Sequence, residues 1–421
     1  MALSNVVIIG AGICGLSTAI SLHKLGVPFT IYEIRSEPST IGGAVNLTPS
    51  ALRYLDALDV LPELEQKGYP VRSIELFSIY TQKKFAELSF DNMPRYGFRA
   101  MRVLRKDLLN SLLNRLEKLG SHVRYGMRMS SINEDIQGGD TAKIRFEDGS
   151  VDRAGLIIGC DGIHSIVRTA YVQPSRKPIY TGLAAAYGLL PTSDIKSPIH
   201  FQDTSVNTSQ SGSLIASYCT ADKASMYFTA LMQIESPTDT SRQGWRVRGA
   251  DQESLRSDIL ARFKDGGIPC LKEMAEKVGE LCLYPVNKLE PNGVWGKGRV
   301  VLLGDAAHAM PPQGESTGFA IEDAILFAHV LSKRAHLPVS DGAVTSDSLP
   351  IPDLITHYIE LRRPKMEAAF KEADFRWETG KDGGWLAFKM KELLTPWFLW
   401  WYRGKWEKEF GEEGDVRNTE V

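Results

Sequence analysis

The sequence has 421 residues, with 49 Lys and Arg against 51 Asp and Glu and a formal net charge of −2 at pH 7. A chain of this length can bury a large core, and we expect two closely joined domains. The near-balance of charge argues against nucleic acid as a partner, because neutralising phosphates requires a basic face. Five scattered cysteines without a CxxC pair favour reduced thiols and predict no metal site. No secretory signal is visible, so we expect a cytoplasmic protein.

The first elements predict a β-α-β unit around a glycine-rich turn. Residues 5–10 form a continuous apolar run, which is typical of a buried parallel strand. A helix is predicted over 16–25 and a second strand over 29–33, which ends in the carboxylate of Glu33. The turn between the first strand and the helix carries glycines at the spacing of a dinucleotide-binding motif: Gly10, Gly12 and Gly15.

The residues of this unit fit the chemistry of a dinucleotide. The first glycine permits the tight turn, the second lets the backbone approach a pyrophosphate, and the third lets helix and strand pack closely. The positive end of the helix faces the phosphates. Glu33, 18 residues after Gly15, can accept hydrogen bonds from both hydroxyls of an adenosine ribose and would repel a 2′-phosphate. The unit therefore predicts FAD or NAD rather than NADP.

The rest of the chain alternates predicted helices and strands. Apolar periodicity predicts helices over 49–61, 103–119, 317–334 and 354–377. Strands are predicted within 122–144, 156–159 and 299–304. From 178 to about 282, alternating polar and apolar residues predict an inserted antiparallel sheet. Two polar stretches are predicted as loops, 193–212 and 336–350.

Two aspartates that follow predicted strands extend the dinucleotide signal. Asp161 lies in the sequence Gly-Cys-Asp-Gly after the strand at 156–159, and Asp305 follows Gly304 after the strand at 299–304. The second aspartate is placed to hydrogen-bond a ribityl hydroxyl, a group that flavins carry and NAD lacks. Taken alone, Asp161 also fits an N-cap at the start of a helix. The three motifs together favour FAD over NAD and a redox enzyme over a binding protein.

With these residues the chain resembles the class A, single-component FAD-dependent monooxygenases, the group of salicylate- and p-hydroxybenzoate-hydroxylase-like enzymes. It is most similar in texture to fungal secondary-metabolism members, and the resemblance covers roughly residues 5–375. Segment 159–168 matches the family's DG motif, and segment 299–312 matches its GD motif almost fully. Segment 103–109 matches the stretch whose arginine, here Arg105, reaches the FAD.

The resemblance implies an α/β fold. It consists of a Rossmann-like FAD-binding parallel sheet of the p-hydroxybenzoate-hydroxylase type, an inserted antiparallel-sheet substrate domain and a C-terminal helical tail. The FAD-binding domain is expected to be discontinuous, over 1–72, 98–177 and 285–375. The substrate-binding domain and the tail are expected over 73–97 with 178–284 and over 376–421, respectively.

The resemblance also implies a reaction. NAD(P)H reduces the FAD, O₂ adds at flavin C4a, and the resulting hydroperoxide transfers oxygen to an electron-rich carbon of a small-molecule substrate. Hydroxylation of an aromatic or polyketide-like substrate is the first expectation. Epoxidation of an alkene in a larger apolar natural product is the second. A dehydrogenase or reductase without oxygen transfer is the alternative from a different class.

The same family places a proline, here Pro312, beside the flavin ring. Gly314 and Gly318 then lead into a helix whose N-terminus, aimed at flavin N1 and O2, would stabilise the anionic reduced ring. The chain departs from the family at Glu315 and Ser316, where relatives commonly carry Gly-Gln. Because a carboxylate near an anionic flavin is unfavourable, we expect Glu315 to point away.

The substrate side carries weaker signals. Tyr187 stands where several aromatic hydroxylases place an arginine, which argues against a small anionic substrate such as salicylate. His200 is a weak candidate for a base, whereas His308 is expected to be structural. Four further residues fit either a substrate pocket or, by preference, an ordinary core: Tyr218, Tyr227, Phe228 and Met232.

The tail is rich in aromatic residues between 385 and 406. Lys and Glu interrupt this run, so it is too polar to span a membrane. We expect a helix that packs over the substrate domain. Weak peripheral contact with a membrane is the alternative, because Trp and Lys suit a lipid interface. The sequence leaves the oligomeric state open.

Overall fold

The computed structural model describes residues 5–40, 42–134, 141–237, 239, 241–311, 314–335, 349–378 and 384–420. Its strands, β1 to β19 in chain order, are Val6–Ile9, Phe29–Tyr32, Ala44–Leu47, Tyr69–Val71, Ser73–Ser78, Lys84–Ser89, Ala100–Leu104, Val123–Arg124, Met129–Glu134, Ala142–Phe146, Val151–Ala154, Leu156–Gly159, Ile179–Pro191, Thr204–Ser209, Gly212–Tyr218, Ser225–Gln233, Cys282–Lys288, Gly296–Lys297 and Val300–Leu302. Its helices, α1 to α12, are Ile13–Lys24, Pro49–Ala57, Leu61–Glu65, Met93–Tyr96, Arg105–Lys118, Arg242–Ala250, Gln252–Arg262, Pro269–Lys277, Asp305–His308, Ser316–Arg334, Ile351–Glu378 and Gly384–Phe410. Most of the loop predicted over 336–350 lies outside the described residues.

A mainly parallel sheet in the order β18-β19-β12-β1-β2-β8 confirms the predicted Rossmann-like core. β1 pairs in parallel with β2 and β12, so Ile8 stands opposite Ile31 on one side and Ile158 on the other. Every residue of β1 is buried, with apolar clusters on both faces of the sheet. Because the carboxyl ends of parallel strands meet at one edge, the residues that follow β1, β2, β12 and β19 converge there.

A second sheet, in the order β17-β13-β16-β15-β14-β5-β6, is the expected inserted antiparallel sheet, with one parallel pair between β14 and β5. The prediction of a loop over 193–212 is wrong in part, because Thr204–Ser209 forms β14. Val206 of this strand pairs with Ile215 on one side and Leu76 on the other. Burial between two neighbouring strands, rather than intrinsic propensity, makes this polar segment a strand.

The start of the helix predicted over 103–119 is also wrong. Ala100–Leu104 forms β7, and α5 begins at Arg105. β7 is the central strand of a small sheet β3-β7-β4, in which Val103 pairs with Val45. The β-branched Val103 therefore belongs to a strand, and the leucine-rich periodicity that predicted the helix starts only after it.

The tail forms α12, which packs against β6, α4 and α2. Trp406 and Phe410 are buried in the apolar cluster beneath the seven-stranded sheet, where Phe410 contacts the ring of Phe90. Arg53 of α2 donates hydrogen bonds to the carbonyl oxygens of Phe410 and Gly411, at 2.5 and 2.9 Å. One face of α12 therefore packs on the protein, while the other is exposed. No helix in the described part of the chain is long and apolar enough to cross a bilayer.

Candidate active site

The glycine-rich turn leaves open space beside Gly12 but not beside its neighbours. A Cβ atom at Gly10, where φ is 103°, would lie 2.6 Å from the carbonyl oxygen of Cys160, and one at Gly15 would lie 1.9 Å from that of Gly10. Apart from its chain neighbours, no atom of the described residues lies within 4 Å of the corresponding position at Gly12. α1 begins directly after Gly12, and no described side chain caps its first N–H groups. The turn therefore offers unpaired donors, a positive helix end and room for an anion.

Glu33 lies beside this turn, directly after β2. Its Oε2 accepts a hydrogen bond from the backbone N–H of Ala11 at 2.9 Å, and its Oε1 accepts one from that of Arg35 at 3.1 Å. The side chain is buried. Each carboxylate oxygen can accept a second hydrogen bond, so two ribose hydroxyls can still bind here.

Asp161 follows β12 at the same edge of the sheet. Its Oδ2 accepts hydrogen bonds from the backbone N–H groups of Ile166 and Val167, at 2.6 and 3.1 Å, and so caps the helical turn that follows. Its Oδ1 is inaccessible to solvent and has no hydrogen-bond partner among the described residues. Burial raises the pKa of Asp161. One oxygen therefore caps the helical turn, and the other has no hydrogen-bond partner among the described residues and can accept a hydrogen bond.

Asp305 begins α9 directly after Gly304, whose φ of 58° suits glycine. Its side chain is exposed, yet desolvation by the surrounding protein raises its pKa. This combination is expected at the floor of a cleft. His308 and Arg105 lower the pKa of Asp305 and so oppose the desolvation. Arg105 also donates from Nε to the hydroxyl of Thr40 at 3.0 Å, which fixes it near the same cleft.

Asp323, a residue not predicted from the sequence, supports the turn that carries Asp305. It is fully buried in α10, where its Oδ2 accepts a hydrogen bond from the backbone N–H of Gly304 at 2.6 Å and lies 2.7 Å from Nε2 of His308. Its Oδ1 accepts a hydrogen bond from Nε of Arg362 at 2.6 Å. Although burial acts against it, the charges of His308 and Arg362 hold the pKa of Asp323 at about 2. Asp323 therefore stays ionised and fixes the turn.

Tyr187 lies on β13 of the seven-stranded sheet, close to Gly43 in the loop that precedes β3. A Cβ atom at Gly43 would lie 3.2 Å from the ring of Tyr187 and 2.6 Å from that of Tyr227. The centroids of the two rings are 6.0 Å apart, and we call this pair the aromatic wall. Burial raises the pKa of Tyr187, so its phenol stays protonated at neutral pH. The wall thus abuts the loop that precedes β3.

His200 has the surroundings of a packed core side chain. Its Nδ1 lies 3.1 Å from Sγ of Cys270, and its Nε2 lies 2.7 Å from Oδ1 of Asn207. Burial lowers the pKa of His200 and keeps the ring neutral. Asn207 belongs to β14, which is separated from β13 by β15 and β16, so about 14 Å of sheet lie between them. Phe228 and Met232 are fully buried in the apolar cluster of this sheet.

The start of α10 carries the residues predicted to lie near a flavin ring. Pro312 lies outside the described residues. Gly314 has a φ of 89°, and α10 then begins at Ser316 with no side-chain cap from the described residues. Gly318 faces α2, where its Cβ would lie 3.3 Å from that of Ala51. The first N–H groups of α10 are therefore available to a ligand.

Glu315 lies among charged residues of the last two helices. Partial burial raises its pKa to about 8, and Glu409 and Glu372 act in the same direction. Arg376 and Lys365 oppose the shift. A protonated Glu315 would not conflict with an anionic flavin. Its expected orientation away from the ring stays a prediction.

These features fit FAD. The space at Gly12, the uncapped α1 and Glu33 suit a pyrophosphate and an adenosine ribose. The unpaired oxygen of Asp161 and the cleft carboxylate of Asp305 suit the flavin end. Fold and site together define a flavin-binding α/β oxidoreductase. The chain belongs to the FAD-binding domain family, whose model matches residues 4–335.

Known proteins similar to this chain are FAD-dependent aromatic monooxygenases. It is 28% identical over 374 residues to 3-amino-4-hydroxybenzoate 2-monooxygenase of Streptomyces platensis, covering 88% of this chain and 86% of that protein. It is 26% identical over 347 residues to 6-methylsalicylate 1-monooxygenase of Aspergillus terreus, covering 79% and 75%. It shares its fold with a salicylate hydroxylase solved as a substrate complex, with a TM-score of 0.77 at 21% identity over 100% of this chain and 99% of that one. The protein is an FAD-dependent monooxygenase.

Proposed function

We propose that this monooxygenase uses NAD(P)H and O₂ to hydroxylate an electron-rich aromatic small molecule. The proposal is supported by one observation above all: the aromatic wall meets Gly43, and the adjacent Gly42 contacts the side chain of Arg105. A flat aromatic substrate would stack there, next to the cofactor cleft. The two relatives named above act, by their names, on hydroxylated benzoates, which are electron-rich rings.

We propose the following roles for the cofactor residues. Gly10, Gly12 and Gly15, with the N-terminus of α1, would hold the pyrophosphate, while Glu33 would hold the adenosine ribose and Asp305 the ribityl chain. When bound, FAD supplies the redox chemistry, since it accepts a hydride from NAD(P)H and reacts with O₂. Further residues proposed to line the cofactor are Arg105, Asp161, Gly304, Pro312, Gly314 and Gly318.

The protein's part at the reacting ring is to bind, orient and exclude water. Tyr187 is partly buried and its phenol is protonated, so its hydroxyl can donate a hydrogen bond to an oxygen of the substrate. The uncapped start of α10 would favour negative charge on the group that it faces. His200 remains a weak candidate for a base, because both of its ring nitrogens already have partners.

Two finer assignments remain proposals. Epoxidation of an alkene in a larger apolar natural product is the second candidate for the same chemistry. Membership of a fungal secondary-metabolism branch is supported by the likeness to the Aspergillus terreus enzyme. A dehydrogenase without oxygen transfer is disfavoured, because the named relatives are monooxygenases.

The test is a substrate screen with the FAD-loaded protein, in which NADH or NADPH oxidation and O₂ uptake are followed together. We expect a hydroxylated aromatic compound to stimulate both in equal amounts, and little O₂ to be returned when catalase is added, because little hydrogen peroxide has formed. An alkene that does so in place of every aromatic would favour epoxidation. Stimulated NAD(P)H oxidation without O₂ uptake would contradict the proposal.

We also propose weak peripheral contact between α12 and an anionic lipid surface. The acids of this helix are held in ion pairs. The side chain of Glu392, for example, pairs with Lys389 and is only 13% exposed. The side chain of the cation Arg403, in contrast, is 74% exposed. An apolar face flanked by exposed cations suits anionic phospholipids. The outer face of α12 consists of large apolar residues that are 47–77% exposed: Trp385, Leu386, Met390, Leu393, Leu394, Trp397, Trp400 and Trp401.

Vesicle flotation tests this contact with the full-length protein. We expect flotation with vesicles that contain phosphatidylglycerol, less with phosphatidylcholine alone, and a loss of both in the double variant Trp397→Ser, Trp401→Ser. Val247→Ser, which changes an exposed apolar residue of α6, is a matched control outside α12. Absence of flotation would contradict the proposal. A dimer that the double variant dissociates would assign the face to a second copy of the chain instead.

A further inference from the structure

Arg102 lies on β7, the central strand of the small sheet β3-β7-β4, at the junction of the two halves of the molecule. Its guanidinium carbon lies 4.7 Å from the centroid of the Tyr227 ring, one member of the aromatic wall. Leu104, two residues further along the strand and so on the same side, packs with Tyr227 and Cys219. Arg102 therefore faces the proposed substrate site across an apolar surface.

The guanidinium of Arg102 is partly buried, and no carboxylate of the described residues pairs with it. Its Nε is inaccessible to solvent and has no hydrogen-bond partner among the described residues. The groups that act on its charge are Tyr227 and Cys219, neither of which is a carboxylate. Burying a charge without a partner costs free energy, so such a group calls for an explanation. Three arginines that are more deeply buried are paired with carbonyl oxygens or carboxylates: Arg53, Arg168 and Arg362.

The position of Arg102 connects it to the cofactor cleft. Gly43 abuts the Tyr227 ring over which the guanidinium lies, and Gly42 abuts the side chain of Arg105. An anion bound by Arg102 would therefore lie at the aromatic wall and close to the residues proposed to hold FAD. Tyr187 on β13 is uncharged, although several aromatic hydroxylases place an arginine at this position. In this chain Arg102 on β7 supplies a cation next to the aromatic wall instead.

We propose that Arg102 is the specificity-determining residue of the substrate site, and that it pairs with a carboxylate or ionised phenolic oxygen on the aromatic substrate. This inference rests on the proposed function. The planar guanidinium matches a carboxylate with two parallel hydrogen bonds, and Tyr227 holds its plane by stacking. The apolar side chains of Leu104 and Cys219 strengthen the pair by excluding water. The absence of an arginine at position 187 therefore does not exclude an anionic substrate.

The test compares two probes of nearly equal shape, salicylate and salicylamide, in a buffer slightly below neutral pH, where only the first is an anion. Binding to the FAD-loaded, full-length protein is measured by the change in flavin absorbance. We expect the wild-type protein to bind salicylate at least roughly tenfold more tightly than salicylamide. Arg102→Met should abolish this preference, and Arg102→Lys should keep part of it. Arg99→Met, which changes an exposed arginine just before β7, should keep it fully.

Each variant is compared with the wild type for FAD content and melting temperature, and Arg102→Gln replaces Arg102→Met if the latter does not fold. Equal affinity of the wild-type protein for the two probes would overturn the proposal. So would a preference for salicylate that survives in an FAD-loaded Arg102→Met variant.

The proposed function can fail separately. An Arg102-dependent preference without any substrate-stimulated O₂ uptake would support the binding site and contradict the hydroxylase. O₂ uptake stimulated only by neutral aromatic compounds would support the hydroxylase and overturn the role of Arg102.

Discussion

The carboxylate of Asp323 accepts a hydrogen bond from the backbone N–H of Gly304 at 2.6 Å, and this bond fixes the turn from β19 into α9. The same carboxylate holds His308 and Arg362. Asp305, which we propose binds the ribityl chain, is the next residue in that turn. We therefore expect cofactor binding at this sheet edge to depend on a carboxylate that acts through the backbone.

Asp323→Ala should lower the melting temperature and the affinity for FAD together. The substitution removes the buried partner of His308 and one of the two buried carboxylates that pair with Arg362, and breaking a buried ion pair costs about 3–5 kcal/mol. Calorimetry and titration of the apo-protein with FAD measure the two effects. Asp353→Ala, which removes an exposed acid in the first turn of α11, is the control and should change neither. Wild-type FAD affinity in Asp323→Ala would contradict the positioning role.

Glu33→Ala should weaken FAD binding by about 1–3 kcal/mol, because two ribose hydroxyls and the N–H of Ala11 lose their acceptor. Glu33→Gln keeps one acceptor oxygen and should lose less. Flavin fluorescence during titration of the apo-protein gives the three affinities. If all three proteins bind FAD equally, Glu33 does not hold the ribose.

Tyr187→Phe should lower the share of NAD(P)H oxidation that yields product and raise hydrogen peroxide release, since the hydroxyl that orients the substrate is lost. FAD content should not change. Tyr180→Phe is a matched control on the same strand, because the hydroxyl of Tyr180 donates to the carbonyl oxygen of Ile234 at 2.7 Å. The ratio of product to NAD(P)H consumed is the readout. If Tyr187→Phe couples NAD(P)H oxidation to product as well as the wild type does, the hydroxyl of Tyr187 does not orient the substrate and the side chain has only a packing role.

Glu315→Gln should stabilise the protein at alkaline pH. The pKa of Glu315 is raised to about 8 in the folded protein, against ~4.3 for an unperturbed Glu. The folded state therefore binds this proton more tightly, so stability is lost as pH rises between these two values. Gln mimics the protonated form, and the variant should melt a few degrees higher than wild type near pH ~9 but not near pH ~4. An equal difference in melting temperature at both pH values would contradict this.

The parts of the fold that could be predicted from the sequence have local causes. The strands before Gly10, Asp161 and Gly304 are rich in β-branched residues, and each is followed by a turn that requires glycine. All three predicted strands are present in the structure. β14 could not be predicted, because Thr204–Ser209 is polar and becomes a strand only through pairing with β15 and β5. β7 could not be separated from α5 in the sequence, because Ala100–Leu104 runs directly into an amphipathic helix.

The candidate site divides in the same way. Glu33 is recognisable because it directly follows β2, and Asp305 because it lies three residues after the end of β19. Asp323 and Arg102 are not, because their roles come from partners on other elements, Arg362 for the first and Tyr227 for the second. The sequence signal for Asp323 is the acidic pair Glu322-Asp323 inside a mainly apolar segment of α10, which implies buried partners.

The most direct test of oxygen transfer is mass spectrometry of the product formed under isotopically labelled O₂, with the substrate that the NAD(P)H-oxidation screen identifies. We expect one labelled oxygen atom in each product molecule, consumption of one NAD(P)H per O₂, and no label from labelled water. A product without label, with hydrogen peroxide as the only fate of O₂, would contradict the assignment as a hydroxylating monooxygenase.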